Sequence, residues 1–481
     1  MRWPSRGKRA LIGVASALFV ASVVRFGCIA ASAIEPPAAV TVPPGEPVER
    51  DGVLRLGESW LRRRGAVWEL GLRGDAVARG AAISRLMRGP MIGDEQELYD
   101  GFAKAVPFAP ARWAIMDLGR WRFRHVDRGI PADYRTELAG LARGFEPDPF
   151  TDVLPGYHRF VFLYAVYDIA LSFERSPLIG CTTLDTGPEP APVDPGDPTR
   201  GDVLLARAFD METAEALDRD KVVYLVREPG RIPFASVGWP GFVGVVSGMN
   251  REGVALVVHG GRAGTPSTEG VPVVFSLRET LATARTTEEA VRTLSAQPVL
   301  VSHIVIVTDP SGDVAVVERA PGVAAFVRRA KGRLATTNHF EGPLAADAHD
   351  AEVRAKTSTL PRRARGDVLL AQAKAPLGVA NLVAMLRDRS AADGAPLPLG
   401  DRRAIDALIA THGVVFDATT RALWVSEAPH LLGRFVKFDL ARLLADDYTP
   451  EREPTAEVTT IPADPLLTSG RYDVLELARH R

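Results

Sequence analysis

Cysteine is scarce in this chain, since only Cys28 and Cys181 occur among 481 residues. Neither cysteine belongs to a Cys-x-x-Cys pair, and no two of the nine histidines stand four residues apart. The ligand spacings typical of zinc sites are therefore missing. We expect a protein without a bound metal, and no other motif indicates a cofactor.

The chain also lacks a charge excess. Its 58 Lys and Arg residues balance 59 Asp and Glu residues, which gives a formal net charge of −1. We find no basic stretch interleaved with aromatics and no phosphate-binding glycine loop, so nothing indicates nucleic-acid binding. The contents of 46% hydrophobic and 24% charged residues are ordinary for a globular protein.

The N-terminus has the pattern of a secretory signal peptide. Basic residues precede an apolar run over 10–24, Arg25 ends the run, and Ala-Ser-Ala follows at 31–33. The run is shorter than the roughly 20 residues that span a bilayer, so an uncleaved signal anchor is the alternative. A lipoprotein at Cys28 has less support, because the usual aliphatic residue three positions upstream is missing. We predict a signal peptide or anchor over 1–33 and an exported protein: periplasmic, secreted or attached to the cell envelope.

Cys181 follows Gly180 in a Gly-Cys-Thr-Thr sequence. A cut between these two residues would give Cys181 a free α-amine beside its thiol, so that one residue would hold both a nucleophile and a base. Loss of the signal peptide would also leave it as the only thiol, and a lone thiol in an oxidising compartment favours catalysis over a disulfide. The alternative is a buried structural cysteine.

Composition and periodicity divide the chain into five segments. The predicted signal is followed by a Pro-rich linker over 34–51 and by a mostly helical pro-segment over 52–180. In the pro-segment, helices are predicted from Leu61 through Leu72, over 134–141 and over 161–171, from apolar residues three to four positions apart. A catalytic domain is predicted over 181–447 and a charged surface tail over 448–481.

Short runs rich in Val and Ile dominate the chain after Cys181. These runs predict strands at 222–226, 243–246, 254–258, 304–307 and 314–318, and a hairpin over 414–425. Helices are predicted over 277–294 and 377–389. Strands interrupted by helices suit an α+β fold, specifically a four-layer αββα sandwich.

Five segments in a fixed order carry a resemblance to a known family. They lie at 176–184, 201–210, 239–255, 302–313 and 335–340. In this order they resemble the N-terminal-nucleophile (Ntn) cysteine amidases, most closely the acyl-coenzyme A:6-aminopenicillanic acid acyltransferase-like family. Bile salt hydrolase, penicillin V acylase and acid ceramidase are more distant relatives. The resemblance runs from about residue 52 to about 440 and implies the αββα Ntn-hydrolase fold.

The chain departs from the family pattern in two places. The Arg-Asn-x-Asp element appears as Arg207-Ala208-Phe209-Asp210, so its Asn is missing. A stretch with five prolines over 187–198 separates this element from the nucleophile, and we interpret it as a loop insertion.

The resemblance implies a role for several residues of the site. Cys181 is the nucleophile and its freed α-amine the base, with an ordinary pKa near ~8. Arg207 would lie near the thiol and favour the thiolate, and Asp210 would hold the α-amine by a charge-assisted hydrogen bond. A surface ion pair is the alternative for these two residues. Asn338 would donate its side-chain amide to the oxyanion.

Further members of the implied site are less closely defined. Asn250 matches the position that contacts the substrate carbonyl or the oxyanion, with a turn residue as its alternative. Arg362 matches an arginine that follows the Asn motif, although Arg363 and Arg365 compete with it and all three could form a solvated helix face. His339 is predicted to be structural.

These inferences predict an exported, autoprocessed cysteine Ntn hydrolase or acyltransferase that cleaves or transfers the acyl group of an N-acyl amide. Its partners would be a small acyl-amide substrate and its own small and large chains, which stay associated; membrane attachment through the N-terminus is left open. The alternatives are an ester or phospholipid hydrolase of phospholipase B-like type and a non-catalytic envelope binding protein of the same fold.

Overall fold

Two β-sheets lie face to face, and helices cover their outer faces. A computed structural model describes residues 6–37, 40–173, 179–190, 199–211, 215–452 and 459–474.

The larger sheet has eleven strands in the order β1-β2-β3-β4-β7-β8-β9-β10-β11-β12-β13. Neighbouring strands are antiparallel except for β4 and β7, which are parallel. The strands are β1 Val48–Arg50, β2 Val53–Leu56, β3 Ser59–Arg64, β4 Val67–Leu72, β7 Val222–Val226, β8 Phe234–Gly238, β9 Ser247–Asn250, β10 Ala255–Gly260, β11 His303–Thr308, β12 Val314–Arg319 and β13 Phe326–Ala330.

The smaller sheet has seven antiparallel strands in the order β14-β5-β6-β15-β16-β17-β18. They are β5 Ile179–Thr186, β6 Leu204–Met211, β14 Leu334–Thr336, β15 Ala410–Asp417, β16 Ala422–Ser426, β17 Phe435–Asp439 and β18 Thr460–Ile461.

The helices fall mainly into an N-terminal group and a group between the strands that follow Cys181. They are α1 Arg6–Ala31, α2 Ala76–Leu86, α3 Arg88–Ala105, α4 Ala109–Arg122, α5 Ala132–Gly144, α6 Gly156–Tyr164, α7 Val166–Phe173, α8 Ala216–Arg219, α9 Val273–Thr283, α10 Thr287–Ala296, α11 Ala348–Lys356, α12 Thr359–Gln372, α13 Val379–Leu386, α14 Leu440–Leu443 and α15 Pro465–Thr468. Among the described residues, no helix is both long and apolar enough to cross a membrane.

Three apolar clusters define the four layers. Leu205 and Phe416 of the smaller sheet meet Val257 and Ile306 of the larger sheet in a cluster between the sheets. The neighbouring Val258 points the other way, as strand periodicity requires, toward a helical cluster that includes Leu138 and Phe275. Ala206 and Trp424 pack outward against Leu382. This packing confirms the predicted α+β αββα sandwich.

The predicted elements of the catalytic half are partly confirmed. The strands near 222–226, 254–258, 304–307 and 314–318 are present as β7, β10, β11 and β12, and the hairpin over 414–425 is β15–β16. The strand predicted over 243–246 is wrong, because β9 begins only at Ser247. The helix predicted over 277–294 is two helices, since the side chain of Thr286 caps the start of α10.

The ends of the chain differ from prediction. The segment from Leu61 through Leu72 forms β3 and β4 rather than a helix, because β4 pairs with β7 and extends the larger sheet. The predicted surface tail is also wrong in part. Tyr448 is buried between the sheets, Ile461 pairs with β17, and Leu466 and Tyr472 join a small apolar cluster.

Candidate active site

Cys181 lies in β5, which is flanked by β14 and β6. In the register of β5 and β6, Cys181 stands opposite Phe209 and Gly180 stands opposite Asp210. The strand runs through the Gly180–Cys181 bond, so the structure is that of the uncut chain. Cys181 is fully buried, and a substrate cannot reach its thiol in this state.

Arg207 of β6 contacts the thiol. Its Nη2 lies 3.2 Å from Cys181 Sγ and also donates to the carbonyl of Val258. Its Nη1 donates to the carbonyl of Val246 at 2.9 Å and to Ser247 Oγ. The guanidinium also lies over the Phe209 ring, 4.1 Å from its centre. These contacts fix a fully buried cation beside the sulfur.

The predicted proximity of Arg207 and Cys181 is therefore confirmed, but the predicted preference for thiolate is not. Burial raises the pKa of the Cys181 thiol, and the opposing attraction of Arg207 only partly offsets it. A thiol excluded from water loses more solvation on ionisation than one nearby cation returns. In the uncut chain the sulfur is held as a thiol.

Asn338 follows β14 and binds the backbone of the nucleophile. Its Oδ1 accepts the Cys181 N–H at 2.7 Å and a second hydrogen bond from Arg362 Nη2 at 2.9 Å. Its Nδ2 donates to the carbonyl of Gly260 at 3.0 Å. Two donors at one end and an acceptor at the other fix the orientation of the amide. The amide NH₂ group has two hydrogens, so its second N–H is left for a further acceptor after the hydrogen bond to Gly260.

Arg362, rather than Arg363 or Arg365, enters the site. Its Nη1 donates to the carbonyl of Cys181 and, at 2.9 Å, to Thr182 Oγ1. Arg363 instead forms ion pairs with Glu341 and Asp367. Arg365 forms an ion pair with Asp388. Of these three arginines, Arg362 is the one that contacts β5.

Asp210 lies on the α12 side of β6, one face away from the thiol. A Cβ placed on Gly180 would stand 3.3 Å from Asp210 Oδ2 and 3.6 Å from Arg362 Nη2, so glycine fits the narrow space before Cys181. Within the described part of the chain, Asp210 Oδ1 has no hydrogen-bond partner. Burial raises the pKa of Asp210 to about 7, although Arg362 opposes the shift.

The missing Asn of the family element lies away from the sulfur. Ala208 is buried in the cluster between the smaller sheet and α12 and α13. Side chains alternate along β6, so Arg207 and Phe209 face the larger sheet while Ala208 faces the helices. The residue at this position therefore lies on the face of β6 away from the thiol. The proline-rich stretch over 187–198 lies mostly outside the described residues.

Asn250 is a correction to the predicted site. Its Nδ2 donates to the carbonyls of Leu281 and Ala284, and its Oδ1 accepts the N–H groups of Glu252 and Val254. These four hydrogen bonds use the whole amide to close the turn after β9. Asn250 thus has the turn role that was its alternative, and the structure does not bring it to Cys181.

Two buried histidines near the site were not predicted. His259 Nδ1 lies 3.1 Å from the Thr337 carbonyl, so it donates there, and Nε2 accepts from Thr183 Oγ1 at 2.6 Å. His412 stacks on Phe209 and lies 3.0 Å from Ser247 Oγ. Burial lowers the pKa of both rings well below the ordinary value, so both are neutral. Each is an isolated His in a strand, with no neighbouring motif from which its position near Cys181 could be predicted.

His339 is structural, as predicted. Its Nδ1 lies 3.2 Å from Thr337 Oγ1 and 3.0 Å from Thr359 Oγ1. Burial lowers its pKa to about 4. The ring therefore supports the turn that carries Asn338.

A cavity of about 270 Å³ lies between the N-terminal helices and the sheets. It reaches the site at Phe209 and Val246, the first opposite Cys181 and the second bound by Arg207. Most of its wall is apolar and comes from both halves of the chain: Met91, Leu98, Phe160, Leu163, Tyr164, Val166, Tyr167, Ala170, Met211, Leu217, Trp239 and Phe242.

Asp94 is a polar exception in the wall of this cavity. Among the described residues, neither of its side-chain oxygens has a hydrogen-bond partner, and the nearest cation, Arg219 Nη2, lies 3.7 Å away. Burial raises the pKa of Asp94 to about 8, with nearby Asp220 adding to the shift.

The described residues form no group of three or more His, Cys, Asp or Glu side chains able to hold a metal.

Comparisons with solved structures give several partial likenesses. Penicillin V acylase from Agrobacterium tumefaciens is 18% identical, with 59% of this chain and 99% of that chain covered at a TM-score of 0.35. The Caenorhabditis elegans ortholog of N-acylethanolamine-hydrolyzing acid amidase is 15% identical, with 50% and 93% covered at 0.35. A mutant conjugated bile acid hydrolase from Clostridium perfringens is 12% identical, with 59% and 97% covered at 0.36. No curated protein matches the chain in sequence.

The similarity to a known family comes from a sequence match to part of the chain. Residues 198–395 match the family described as acyl-coenzyme A:6-aminopenicillanic acid acyl-transferase. This range includes Arg207, Asp210, Asn338 and Arg362, the residues that surround Cys181. Over these residues the chain is similar to the acyl-coenzyme A:6-aminopenicillanic acid acyl-transferase family.

Proposed function

We propose that this chain is an exported cysteine Ntn hydrolase that cuts itself before Cys181 and then cleaves, or transfers, the acyl group of an apolar N-acyl amide. The observation that carries the proposal is the set of contacts at one residue. Asn338 binds the nitrogen of Cys181, Arg362 binds its carbonyl oxygen, and Arg207 contacts its sulfur. A structural cysteine would need none of these three buried polar partners.

Self-cleavage would begin at the Gly180 carbonyl. The Cys181 thiol would add to this carbonyl and lose its proton, and the Cys181 nitrogen would accept a proton and leave as an amine. The Gly180 acyl group would then be held as a thioester on Sγ, and water would hydrolyse it to the Gly180 carboxylate. This sequence gives a small chain that ends at Gly180 and a large chain that begins at Cys181.

The new α-amine would replace the peptide N–H at Asn338 Oδ1. As an ammonium it would also stand near Asp210, whose buried carboxyl has a pKa of about 7. A neighbouring cation favours the ionised carboxylate, so the pair would become a charge-assisted contact. The neutral amine could then take the proton of the thiol during substrate attack.

The cavity supports an apolar acyl group as the substrate feature. Its wall joins Phe160 and Tyr167 of the pro-segment to Phe209 and Trp239 of the catalytic half. A hydrophobic acyl chain would gain most from burial in such a site. Because both halves form the wall, the small chain would need to stay bound to the large chain after the cut.

Export rests on the N-terminal pattern of basic residues, an apolar run and Ala-Ser-Ala. In the exported form the small chain would begin after Ala33. It would carry the linker, the strands over 48–72 and the helical segment that lines the cavity. Attachment to the envelope through an uncleaved N-terminus remains the alternative.

Intact-mass measurement and N-terminal sequencing of active protein test the proposal. We expect one chain that begins with Cys-Thr-Thr and a second, smaller chain that ends at Gly180. Cys181→Ala should stay uncut and inactive, Cys181→Ser should process slowly because a hydroxyl is the weaker nucleophile, and Cys28→Ala is the matched control that should process normally. A fully active, uncut chain would contradict the mechanism.

The bond specificity is tested with matched substrates. The substrates are an amide and an ester of the same medium-length fatty acid, whose leaving groups differ only in the nitrogen or oxygen atom. We expect turnover of the amide. Turnover of esters alone would favour the phospholipase B-like alternative, and neither activity in a processed chain would favour a binding protein.

A further inference from the structure

Exposed apolar side chains are concentrated on α4 and the residue before it. Phe108, Trp113, Ile115, Leu118 and Trp121 are between 44% and 69% exposed, all within 14 residues. Scattered single apolar residues are normal on a protein surface, but a contiguous group marks an interaction site. Ile115, Leu118 and Trp121 follow one another at intervals of three and therefore lie along one side of the helix.

The C-terminal half of α1 lies beside this surface. Arg25 Nε pairs with Asp117 Oδ2 at 2.8 Å, and the Arg25 guanidinium lies 5.0 Å from the centre of the Trp113 ring. Phe19 and Phe26 of α1 are about 70% exposed and extend the apolar area. The exposed apolar face of α4 is thus continuous with the apolar N-terminal helix.

Basic residues accompany the aromatic ones. Between residues 104 and 124 there are five basic residues and one acidic residue, Asp117, which Arg25 already pairs. The Arg124 guanidinium lies 4.5 Å from the centre of the Trp121 ring. Amphipathic helices that lie in the headgroup region of a bilayer typically combine tryptophan on the apolar face with arginine or lysine on the polar face.

We propose that α4, with Phe108, is a membrane-docking surface that lies in the interface of a bilayer containing anionic lipid. The apolar side chains enter the boundary between headgroups and acyl chains, while the arginines contact lipid phosphates. Charge complementarity favours anionic lipid over a second copy of this chain, which would bring the same basic residues, and this argument holds with or without α1. The surface is separate from the site at Cys181, so this inference does not depend on the reaction.

Vesicle co-sedimentation tests the surface on the full chain. The probes are phosphatidylcholine vesicles with and without about 30 mol% phosphatidylglycerol, an anionic lipid. We expect binding to the anionic vesicles that weakens with salt. The variant Leu118→Ser/Trp121→Ser should bind about tenfold more weakly, while the matched control Val323→Ser/Val474→Ser, which changes two exposed residues elsewhere, should bind as the unmodified chain.

A second measurement covers the case in which α1 alone keeps the chain on vesicles. Brominated lipid should quench the tryptophan fluorescence of the bound chain, and Trp113→Phe/Trp121→Phe should remove most of that quenching because the fluorophores at the interface are gone. Equal quenching of this variant and the unmodified chain would overturn the proposal. So would a dimer in sedimentation velocity that Leu118→Ser/Trp121→Ser dissociates, with no binding to vesicles, since the occupant would then be a second copy.

Discussion

Arg207 Nη2 lies 3.2 Å from Cys181 Sγ, with the same nitrogen bound to the Val258 carbonyl of the other sheet. The contact joins the nucleophile of the smaller sheet to the backbone of the larger one. It places a guanidinium beside a thiol whose pKa burial raises. The contact of Arg207 with both sheets therefore fixes the position of this group next to the sulfur.

Arg207→Lys tests this contact. We expect the rate of self-cleavage to fall by about tenfold or more, because an ammonium cannot reproduce the fork that bonds Val246, Ser247, Val258 and the sulfur together. The measurement is the fraction of cut chain against time by intact mass. Arg363→Lys, which changes an arginine paired at the surface, is the control. Equal rates for both variants and the unmodified chain would show that the contact is not needed.

Asn338→Ala tests the amide beside the nucleophile. The variant loses an acceptor for the Cys181 nitrogen and the side-chain amide that the family resemblance predicts as the oxyanion donor, so we expect kcat to fall by roughly 10²-fold while substrate binding changes little. Steady-state kinetics on the processed fraction, with circular dichroism of the same sample, give the answer. A folded variant with kcat within a factor of two would remove Asn338 from the reaction.

Asn250→Ala should behave in the opposite way. This side chain bonds four backbone groups and is fully buried, so its loss should lower the free energy of unfolding by at least about 2 kcal/mol. Urea unfolding measures the change, and kcat of the folded fraction should stay near that of the unmodified chain. A large loss of kcat without a loss of stability would return Asn250 to the active site.

Asp185 predicts a pH dependence of stability. Burial raises its pKa to about 8, and among the described residues neither side-chain oxygen has a hydrogen-bond partner. Between its unfolded pKa near ~4 and its folded pKa, the native state holds a proton that the unfolded state has released, so this contribution to stability is lost as pH rises. Asp185→Asn removes the titration.

The stability difference between Asp185→Asn and the unmodified chain should therefore shift in favour of the variant from pH 5 to pH 9. Urea unfolding at both pH values measures it. Asp447→Asn, at an exposed position, is the control and should show no comparable shift. A difference that is the same at pH 5 and pH 9 would mean that Asp185 is already ionised in the folded chain.

Asp94→Leu tests the cavity as an acyl site. The change removes a buried carboxyl from an otherwise mainly apolar wall, so kcat/KM for an alkyl acyl amide should rise severalfold, chiefly through a lower KM. Glu97→Leu is the control, because Glu97 lies on the same helix but outside the wall of the cavity. An unchanged or lower kcat/KM for Asp94→Leu alone would place the acyl chain elsewhere.

The sequence by itself determined the layered α+β fold, and its motifs supplied the candidate residues of the site. Short motifs contain Gly180-Cys181, Arg207, Asp210 and Asn338. Continuous apolar runs such as 222–226 are typical of buried strands. These features depend on residues close together in the chain. Local apolar patterns were enough to predict the strands, whereas the roles of the motif residues are what the family resemblance implies.

Only the tertiary structure decided where several side chains point. The segment over 61–72 became strands because a distant strand, β7, pairs with β4. Arg362 reaches the nucleophile while Arg363 and Arg365 do not, because only one of the three positions on α12 faces β5. Asn250 instead closes a turn with carbonyls some 30 positions further along the chain. The direction of a side chain depends on the partner that its element packs against, and that partner is fixed by contacts far apart in the sequence.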